Sequence, residues 1–577
     1  MRRTKIICTI GPASESPEKV RDLLKAGMNV ARLNFSHGSH EEHGARIAVL
    51  REEASKLGKH LGILLDTKGP EIRTGKVPDE GVTLITGAQF VLDINPELGS
   101  SERVMITYDQ LWQEVEVGTL ILLDDGLIGL EVTNTVEGAI TTVVRNGGLL
   151  KSKKGVNVPG ASIQLPAITE QDIADIRFGV EQGVDFIAAS FTRKAADIMA
   201  VRQIVEEAGG DIQIIAKIEN REGLDKVDSI LEVADGLMVA RGDLGVEIPV
   251  EEVPIAQKDM IRKCNLLGKP VIVATQMLDS MIRQPRPTRA EASDVANAIL
   301  DGTDAIMLSG ETAAGSYPIE AVQTMNRIAM SAEAVYLGNK RDRHPQINVA
   351  EAISYASYTI ANDLQATAIV TPTQSGLTAR MISKYRPKAL IVAATPFATT
   401  ARKLAIQWGV QPVITNQSEG TDQLLSTAVN TALSANYVKT GDVVVITAGV
   451  PVGKTGATNM IKVQIVGNVL AKGSGIGRKS YTGIARKIQT ANPELFNQGD
   501  VLVAGFTDSD LVPVIARAGA IVVEEGGLTS HAAIAALQYG IPAIVGASGA
   551  ITNITDGETV TVDGLSGVVY EGSVTIL

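Results

Sequence analysis

Three charged residues near the middle of the chain have types and a spacing that suit a site for a metal ion and an anionic group. Lys217 and Glu219 end one apolar run, and Asp243 follows the next apolar run in the motif Arg-Gly-Asp. Two carboxylates suit a hard divalent cation such as Mg²⁺ or Mn²⁺. Lys217 lies two residues before Glu219, so in a strand it points to the same side and can stabilise charge that develops on a phosphoryl group. A structural salt bridge is the alternative interpretation.

A second group of residues combines small oxygen-bearing side chains with arginines. The oxygen-bearing residues follow two earlier apolar runs and are Asn34, Ser36, Asp66 and Thr67. Their oxygens suit a monovalent cation or a second hard cation, although helix caps and turns also use these residue types. Arg32 and Arg73 are close in sequence and add positive charge, which favours an anionic substrate.

The elements that must position these residues are eight short apolar runs separated by helical stretches. The runs cover residues 5–10, 29–34, 62–66, 185–190, 212–219, 235–240, 270–275 and 304–309. Near-continuous apolar strands that alternate with helices indicate a parallel sheet covered by helices, and eight such units indicate a TIM-type (β/α)8 barrel. In such barrels the chemistry lies where the strands end, which is where the polar residues above are found.

The remaining sequence predicts three further units. The TIM barrel is expected over residues 1–69 and 165–340. It is interrupted at 70–164 by β-rich runs with Asn-Gly and Gly turns, which indicate an inserted all-β lid domain, expected as a small β-barrel. Residues 341–470 predict an open α/β domain. The glycine-rich segment 471–477 predicts a flexible linker to an extra α/β domain at 478–577.

Length and composition exclude several classes of protein. The chain has 577 residues, 45% hydrophobic and 3% aromatic, with a net charge of −12, so it lacks the basic field and stacking aromatics of a nucleic-acid-binding protein. It contains no apolar run of 18 residues and no signal-peptide pattern, and its two cysteines form no disulfide framework. We therefore expect a cytoplasmic protein that associates with neither nucleic acid nor membrane.

Three other motifs suggest contacts with phosphate. Lys154 belongs to the basic turn Lys-Ser-Lys-Lys-Gly at the end of the inserted region, which suits a nucleotide phosphate or a solvated charge cluster. The segment Thr373–Thr378, with Ser375 and Gly376, lies between a strand and a helix, where it suits a bound phosphate or a plain helix cap. His531 lies on a small-residue turn, where a ring nitrogen can accept a phosphoryl group.

Six motifs together closely resemble the pyruvate kinase family over roughly residues 1 to 470. They are ARLNFSHG, LLDTKGPEIRTG, KSKKGVNVPG, KIENREG, MVARGDLGVEIP and VIVATQML. The resemblance implies a barrel with a β lid and a C-terminal α/β domain. It also implies transfer of the phosphoryl group of phosphoenolpyruvate to ADP, giving pyruvate and ATP.

The resemblance also implies roles for individual residues. Mg²⁺ would be held by Glu219 and Asp243, and K⁺ by Asn34, Ser36, Asp66 and Thr67. The catalytic residues would be Lys217, Thr275, Arg32 and Arg73. Phosphoenolpyruvate would be contacted by Arg32, Ser190, Lys217, Gly242, Asp243 and Thr275, and the nucleotide phosphates by Arg73 and Lys154. Thr373, Ser375, Gly376 and Thr378 would bind a phosphorylated allosteric effector, and the enzyme would be a homotetramer.

The last hundred residues resemble a different family. GGLTSHAAIAALQYGIPAIVG is similar to the swivelling phosphohistidine domain of enzymes that use phosphoenolpyruvate, which implies His531 as a phosphoryl acceptor. Leu537 stands near the position of a common arginine of that family, and the ATP-grasp domain that accompanies it is absent. We therefore expect a structural or regulatory appendage. For the whole chain, a metal-dependent aldolase acting on the enolate of pyruvate and a nonenzymatic metabolite sensor remain as alternatives.

Overall fold

The computed structural model describes residues 1–161, 163–336, 348–418, 420–451, 458–488 and 496–574. The chain divides into two compact units. The first unit comprises Met1–Arg343, Ser383–Arg386 and Phe397–Pro412, and the second comprises His344–Ile382, Pro387–Pro396 and Val413–Leu577. The boundary predicted between residues 340 and 341 lies outside the described residues. No described helix is long and apolar enough to cross a membrane.

The first unit begins with three parallel strands and two helices of a barrel. These are β1 (Lys5–Thr9), α1 (Pro17–Ala26), β2 (Val30–Asn34), α2 (His40–Lys56) and β3 (Gly62–Asp66). All residues of β1 and β3 are buried, as a parallel sheet covered by helices requires. Ser39 and Glu42 form a capping box that fixes the start of α2 immediately after the loop that leaves β2.

A β-rich region then interrupts the barrel. Its elements are β4 (Val82–Leu84), β5 (Gln89–Asp93), β6 (Arg103–Met105), α3 (Leu111–Glu114), β7 (Leu120–Leu123), β8 (Ile128–Val136), β9 (Ala139–Asn146), β10 (Gly148–Leu150) and β11 (Val156–Asn157). A six-stranded sheet has the order β11-β7-β8-β9-β5-β6, and β10 pairs with β4. Phe90, Leu123 and Leu130 belong to a core of its own. The predicted inserted β domain is therefore present, with one short helix.

The chain then returns to complete the barrel. The elements are α4 (Glu170–Glu181), β12 (Phe186–Ala189), α5 (Ala195–Glu207), β13 (Gln213–Ile218), α6 (Arg221–Asp225), α7 (Val227–Val233), β14 (Gly236–Ala240), α8 (Arg241–Glu247), α9 (Val253–Leu267), β15 (Val271–Ala274), α10 (Arg289–Asp301), β16 (Ala305–Leu308), α11 (Gly310–Ala313) and α12 (Pro318–Tyr336). The closed order is β1-β16-β15-β14-β13-β12-β3-β2. All eight predicted runs are strands of this barrel, which confirms the fold class.

The following residues form an open sheet with helices. The elements are α13 (Val349–Asp363), β17 (Ala368–Pro372), α14 (Leu377–Ser383), β18 (Leu390–Thr395), α15 (Ala398–Lys403), β19 (Val410–Ile414), α16 (Thr421–Ser434), β20 (Val443–Gly449) and β21 (Thr458–Ile465). The strand order is β19-β18-β17-β20-β21. Only β21, at one edge, pairs antiparallel among the described pairings of this sheet. This arrangement confirms the predicted α/β sheet.

The last part of the chain forms an eight-stranded sheet of the order β22-β29-β28-β24-β25-β26-β27-β23. Its elements are β22 (Val469–Lys472), β23 (Ser474–Ile476), β24 (Ser480–Lys487), β25 (Val501–Ala504), α17 (Val512–Ile515), β26 (Ala520–Val523), α18 (His531–Tyr539), β27 (Ala543–Val545), α19 (Ala550–Asn553), β28 (Thr559–Asp563) and β29 (Val568–Glu571). The central strands β25 and β26 are completely buried.

The structure corrects the flexible linker predicted at residues 471–477. This segment contributes to β22 and β23, which are two strands of the last sheet. A Cβ atom on Gly473 would lie 2.5 Å from the carbonyl oxygen of Val545, and one on Gly475 would lie 2.4 Å from that of Gly564. The glycines are therefore explained by close approach of neighbouring backbone, rather than by flexibility.

A buried lysine gives the barrel a pH-dependent stability. Lys5 in β1 is 3% exposed and donates a hydrogen bond to the carbonyl oxygen of Val410 at 2.6 Å. Burial, with a smaller effect of Arg2, lowers the pKa of Lys5 from 10.5 to about 7, although Glu333 opposes the shift. The unfolded chain therefore holds more protons than the folded chain between these pH values, so stability rises with pH across this window.

Between about pH 7 and pH 9.5, we expect the unfolding free energy of the wild type to rise by about 3 kcal/mol relative to that of Lys5→Met. Urea denaturation of both proteins at the two pH values measures this change. The lost hydrogen bond to Val410 weakens the variant equally at both pH values, so it does not alter the comparison. A difference that does not change with pH would contradict the assigned environment of Lys5.

Candidate functional site

The Lys217 ammonium lies at the carboxyl end of β13 among three oxygen atoms. Its Nζ is 3.0 Å from Asp66 Oδ1 and 2.9 Å from Glu219 Oε1, and it donates a hydrogen bond to Ser190 Oγ at 2.8 Å. These oxygens come from the ends of the adjacent strands β3, β12 and β13. Asp66 and Glu219 are 1% and 2% exposed. The ammonium is therefore fixed in a site largely shielded from water.

The electrostatics of this cluster keep its members charged. Burial lowers the pKa of Lys217, but Asp66 and Glu219 more than offset that effect and raise the pKa above its ordinary value. Burial likewise raises the pKa of Asp66, but Lys217 and Arg32 more than offset it, so that the pKa is lowered. The site therefore presents a positive charge at neutral pH without reorganisation, which is what stabilisation of a developing negative charge requires.

Arg32 joins the cluster from β2. Its Nε donates to Asp66 Oδ2 at 2.6 Å, and its Nη1 donates to Thr9 Oγ1 at 3.0 Å. Both oxygens of Asp66 thus accept from cations, because Oδ1 faces Lys217. The sequence analysis considered Asp66 only as a cation ligand, and the ion pairs that link it to Arg32 and Lys217 required the barrel register to be seen.

Glu219 and Asp243 form the candidate divalent cation site. Glu219 Oε2 accepts a hydrogen bond from the backbone N–H of Phe191 at 2.5 Å, which orients its carboxylate. Burial, followed by the negative charge of Glu219, raises the pKa of Asp243. Two neighbouring carboxylates, of which Glu219 is buried and Asp243 half-buried, fit a hard cation, which would relieve this repulsion. Among the described residues, no group of three or more His, Cys, Asp or Glu side chains is arranged to hold a metal.

Thr275 is held in a strained backbone conformation at the end of β15. Its φ of 68° is rare for a β-branched residue. The Thr275 hydroxyl donates to the carbonyl oxygen of Ala274 at 2.6 Å and accepts from the Gly242 N–H at 2.8 Å. Arg241 donates to the carbonyl oxygens of Ala274 and Thr275. The Arg241 side chain, to which the sequence assigned no role, thus links the start of α8 to the end of β15 and the residue that follows it.

The four predicted ligands of a monovalent cation lie at the carboxyl ends of β2 and β3 or just after them. Asn34 and Asp66 are paired in the register of β2 and β3. The Asn34 side-chain oxygen accepts the Ser36 N–H at 3.2 Å, and the Thr67 hydroxyl accepts the Ser190 N–H at 3.1 Å. The structure therefore places oxygen donors of the types that the sequence predicted on neighbouring strand ends.

A cavity of about 530 Å³ lies between the inserted domain and the barrel. Arg73, Lys154 and Asp243 line it, together with Asp125, which sequence analysis did not identify. Arg73 Nε donates to Glu71 Oε2 at 2.6 Å, and Lys154 Nζ lies 2.8 Å from Asp124 Oδ1. The cavity thus brings both predicted nucleotide-binding cations to the same space as one carboxylate of the candidate metal site.

The remaining predicted residues lie in the second unit. The Thr373 hydroxyl accepts the Gly376 N–H at 2.9 Å immediately before α14, and the Thr378 hydroxyl is buried 2.8 Å from that of Thr458. Ser375 lies in the same turn. His531 is the first residue of α18, and its Nδ1 lies 3.0 Å from the Thr507 hydroxyl. These groups are thus found at the strand and helix ends that the sequence indicated.

Comparison with known proteins identifies the family. The family model of the pyruvate kinase barrel domain matches residues 1–322, and that of the pyruvate kinase alpha/beta domain matches residues 351–464. The chain belongs to the pyruvate kinase family. Pyruvate kinases of Bacillus licheniformis, Geobacillus stearothermophilus and Sporosarcina psychrophila are 56%, 55% and 52% identical to it over the full length of both chains. As a pyruvate kinase family member, it is an enzyme of the phosphotransferase class.

A third family model matches the extra domain at the end of the chain. The family model of the PEP-utilising enzyme mobile domain matches residues 496–567. The match confirms the resemblance that the sequence indicated for the last hundred residues. Because the Bacillus and Geobacillus pyruvate kinases are matched over their whole length, this domain is part of the same architecture in those relatives.

The Arg193 side chain binds the segment through which the chain leaves the inserted domain. Its Nη1 and Nη2 donate to the carbonyl oxygens of Ile163 and Leu165 at 2.8 and 2.7 Å. We expect Arg193→Met to accelerate amide hydrogen exchange at residues 163–168 by about tenfold, because two charge-assisted hydrogen bonds are lost. Arg145→Met is the matched control, since Arg145 is exposed in β9 of the inserted domain and pairs with Glu131. Equal exchange in both variants would show that Arg193 does not hold this connection.

Proposed function

We propose that this pyruvate kinase family enzyme transfers the phosphoryl group of phosphoenolpyruvate to ADP, giving pyruvate and ATP. The observation that carries the proposal is the buried Lys217 ammonium between Asp66 and Glu219, beside the Glu219–Asp243 carboxylate pair. A fixed positive charge next to a hard-cation site suits a phosphoryl group in transfer, for which positioning and charge stabilisation supply most of the catalysis.

The chemistry divides into two steps. The bond between phosphorus and the enol oxygen of phosphoenolpyruvate breaks with its electron pair left on oxygen, while a bond forms between phosphorus and a β-phosphate oxygen of ADP. The enolate then takes a proton at carbon and becomes pyruvate. Lys217 stabilises the charge on the phosphoryl group, and Thr275 lies near the route of the proton. Arg32, Ser190, Gly242 and Asp243 bind the substrate.

Glu219 and Asp243 would hold Mg²⁺ or Mn²⁺. When bound, the metal supplies positive charge that polarises the phosphoryl oxygens. Arg73 and Lys154 would bind the nucleotide phosphates, because both cations line the cavity that Asp243 also lines. The lid domain over this cavity would exclude water, which would otherwise hydrolyse the phosphoryl donor.

K⁺ would be held by oxygens of Asn34, Ser36, Asp66 and Thr67. Support comes from the pairing of β2 with β3, which joins the two halves of this donor set, and from the preference of K⁺ for oxygen ligands. Glu71 occupies the position that the family resemblance associates with K⁺ dependence, and its carboxylate pairs with Arg73.

The second unit would have a regulatory and structural role. We propose that the turn containing Thr373, Ser375, Gly376 and Thr378 binds a phosphorylated effector, and that the enzyme is a cytoplasmic homotetramer. The extra domain would be a structural or regulatory appendage. His531 would take no part in transfer between phosphoenolpyruvate and ADP.

The proposed reaction and its cation dependence can be tested together. We expect rapid pyruvate formation from phosphoenolpyruvate and ADP with Mg²⁺ and K⁺, and a large loss of rate when Na⁺ replaces K⁺. The control omits ADP and measures hydrolysis alone. Activity that is indifferent to K⁺ would leave the kinase intact and remove the cation assignment, whereas no activity under any condition would contradict the proposed reaction.

Lys217 provides a test of the mechanism. We expect Lys217→Met to reduce turnover by about 10² to 10³-fold or more, which is the effect of losing one preorganised electrostatic group. Binding of Mn²⁺, followed by electron paramagnetic resonance, should stay close to that of wild type because Glu219 and Asp243 remain. Lys263→Met serves as the control, because it removes a lysine of α9 that pairs with Asp228 on α7. Near-normal turnover in Lys217→Met would disprove the assigned role.

A further inference from the structure

We propose that His43 is a positioning residue for the monovalent cation, and that it acts by holding the loop Asn34–Ser39, called here the cation loop. The inference rests on the proposed K⁺ site, because Asn34 and Ser36 are two of its four residues. His43 itself lies in the first turns of α2 and touches no substrate.

His43 holds the cation loop through one hydrogen bond and one stacked ring. Its Nε2 lies 2.8 Å from the carbonyl oxygen of His37, and since a carbonyl can only accept, Nε2 must carry the hydrogen. The Phe35 ring stacks on the His43 ring with centroids 4.0 Å apart and planes 13° from parallel. His43 therefore contacts the residues on both sides of Ser36.

The cation loop is packed so closely on α2 that its shape depends on this contact. Gly38 has a φ of 87°, and a Cβ atom there would lie 2.9 Å from Glu42 Oε2 and 3.3 Å from His43 Nε2. The other side of the loop is tied to the barrel by the Phe35 N–H, which donates to the carbonyl oxygen of Asp66 at 3.0 Å. The loop is thus held between β3, which carries Asp66, and His43.

The cost of burying His43 indicates that its hydrogen bond matters. The ring is 2% exposed, and its Nδ1 has no hydrogen-bond partner within the described parts of the chain. Burial lowers the pKa of His43, which favours the neutral ring with one N–H. A phenylalanine would fill the same space and stack on Phe35 without an orphaned nitrogen. We attribute the use of histidine to its N–H, which holds the His37 carbonyl and so the position of Ser36.

A second layer of aromatic contacts keeps α2 in place. The His40 ring stacks on Phe178 with centroids 4.4 Å apart, and His40 Nε2 lies 2.6 Å from Asp175 Oδ1 on α4. Phe35 also packs against Phe178, with ring centroids 6.1 Å apart. Contacts with α4 therefore hold both α2, through His40, and the cation loop, through Phe35.

The test separates cation affinity from turnover. His43→Phe keeps the stacked ring and removes the N–H donor, whereas His43→Gln can restore a side-chain N–H to the His37 carbonyl. His60→Phe is the matched control, because His60 precedes β3 at the opposite end of the barrel. Thallium(I) serves as the probe for the K⁺ site, with binding measured by thallium-205 NMR without substrate. The K⁺ concentration for half-activation and kcat at saturating K⁺ are measured in parallel.

We expect His43→Phe to weaken thallium(I) binding and to raise the half-activating K⁺ concentration by about tenfold or more, which is the usual effect of removing a residue that supports a metal ligand. Its kcat at saturating K⁺ should stay within about twofold of wild type, because the reacting groups are untouched. His43→Gln should recover most of the affinity, and His60→Phe should match wild type.

The results that would overturn the inference alone can be distinguished from failure of the proposed cation site. Unchanged thallium(I) affinity in His43→Phe would show that the hydrogen bond does not position the loop. Should His43→Phe fail to fold, Phe35→Leu loosens the same stack from the loop side, and unchanged affinity in that variant would have the same meaning. Absence of thallium(I) binding in wild type would instead remove the proposed cation site itself, and the inference with it.

Discussion

The structure depends on keeping the Lys217 ammonium charged while it is buried. An unpaired buried charge costs several kcal/mol, so the ammonium is stable only with carboxylates at hydrogen-bond distance. Asp66 and Glu219 supply them from the ends of β3 and β13, and Ser190 adds a hydroxyl from the end of the intervening strand β12. The parallel register of β3, β12 and β13 places the three oxygens around one nitrogen. The barrel is therefore the means by which a reactive charge is kept in a dry site.

One short loop after β12 joins this charged site to the lid. Ser190 accepts from Lys217, Phe191 donates its N–H to Glu219 from a left-handed conformation with φ 53°, and Arg193 binds two carbonyl oxygens at the exit from the inserted domain. The loop that holds the exit from the inserted domain through Arg193 thus also carries Ser190 and Phe191, which orient Lys217 and Glu219. The inserted domain and the charged site are therefore connected through one loop of the barrel.

Several residues matter because they hold others in place. Arg241 links the loops that carry Gly242 and Thr275, and His43 holds the cation loop against α2. In the last domain, Gly473 and Gly475 allow strands to approach within distances that a Cβ atom would prevent. In each case a side chain, or the lack of one, determines how closely two backbone segments approach each other. Residues that are separated in sequence thereby become neighbours in the folded chain.

The eight-stranded barrel, the inserted β domain and the residue types at the strand ends could be predicted from the sequence. Apolar periodicity is a local property, and the motifs around Lys217, Glu219 and Asp243 predict a chemistry for these residues. The folded structure was needed to see that Asp66 bridges Arg32 and Lys217, that Arg193 holds the exit from the inserted domain, and that residues 471–477 contribute to strands rather than a linker. Ion pairs and close backbone approaches join residues far apart in the chain, so no local pattern records them. A glycine looks the same in sequence whether it serves flexibility or close packing, and its neighbours in space decide which applies.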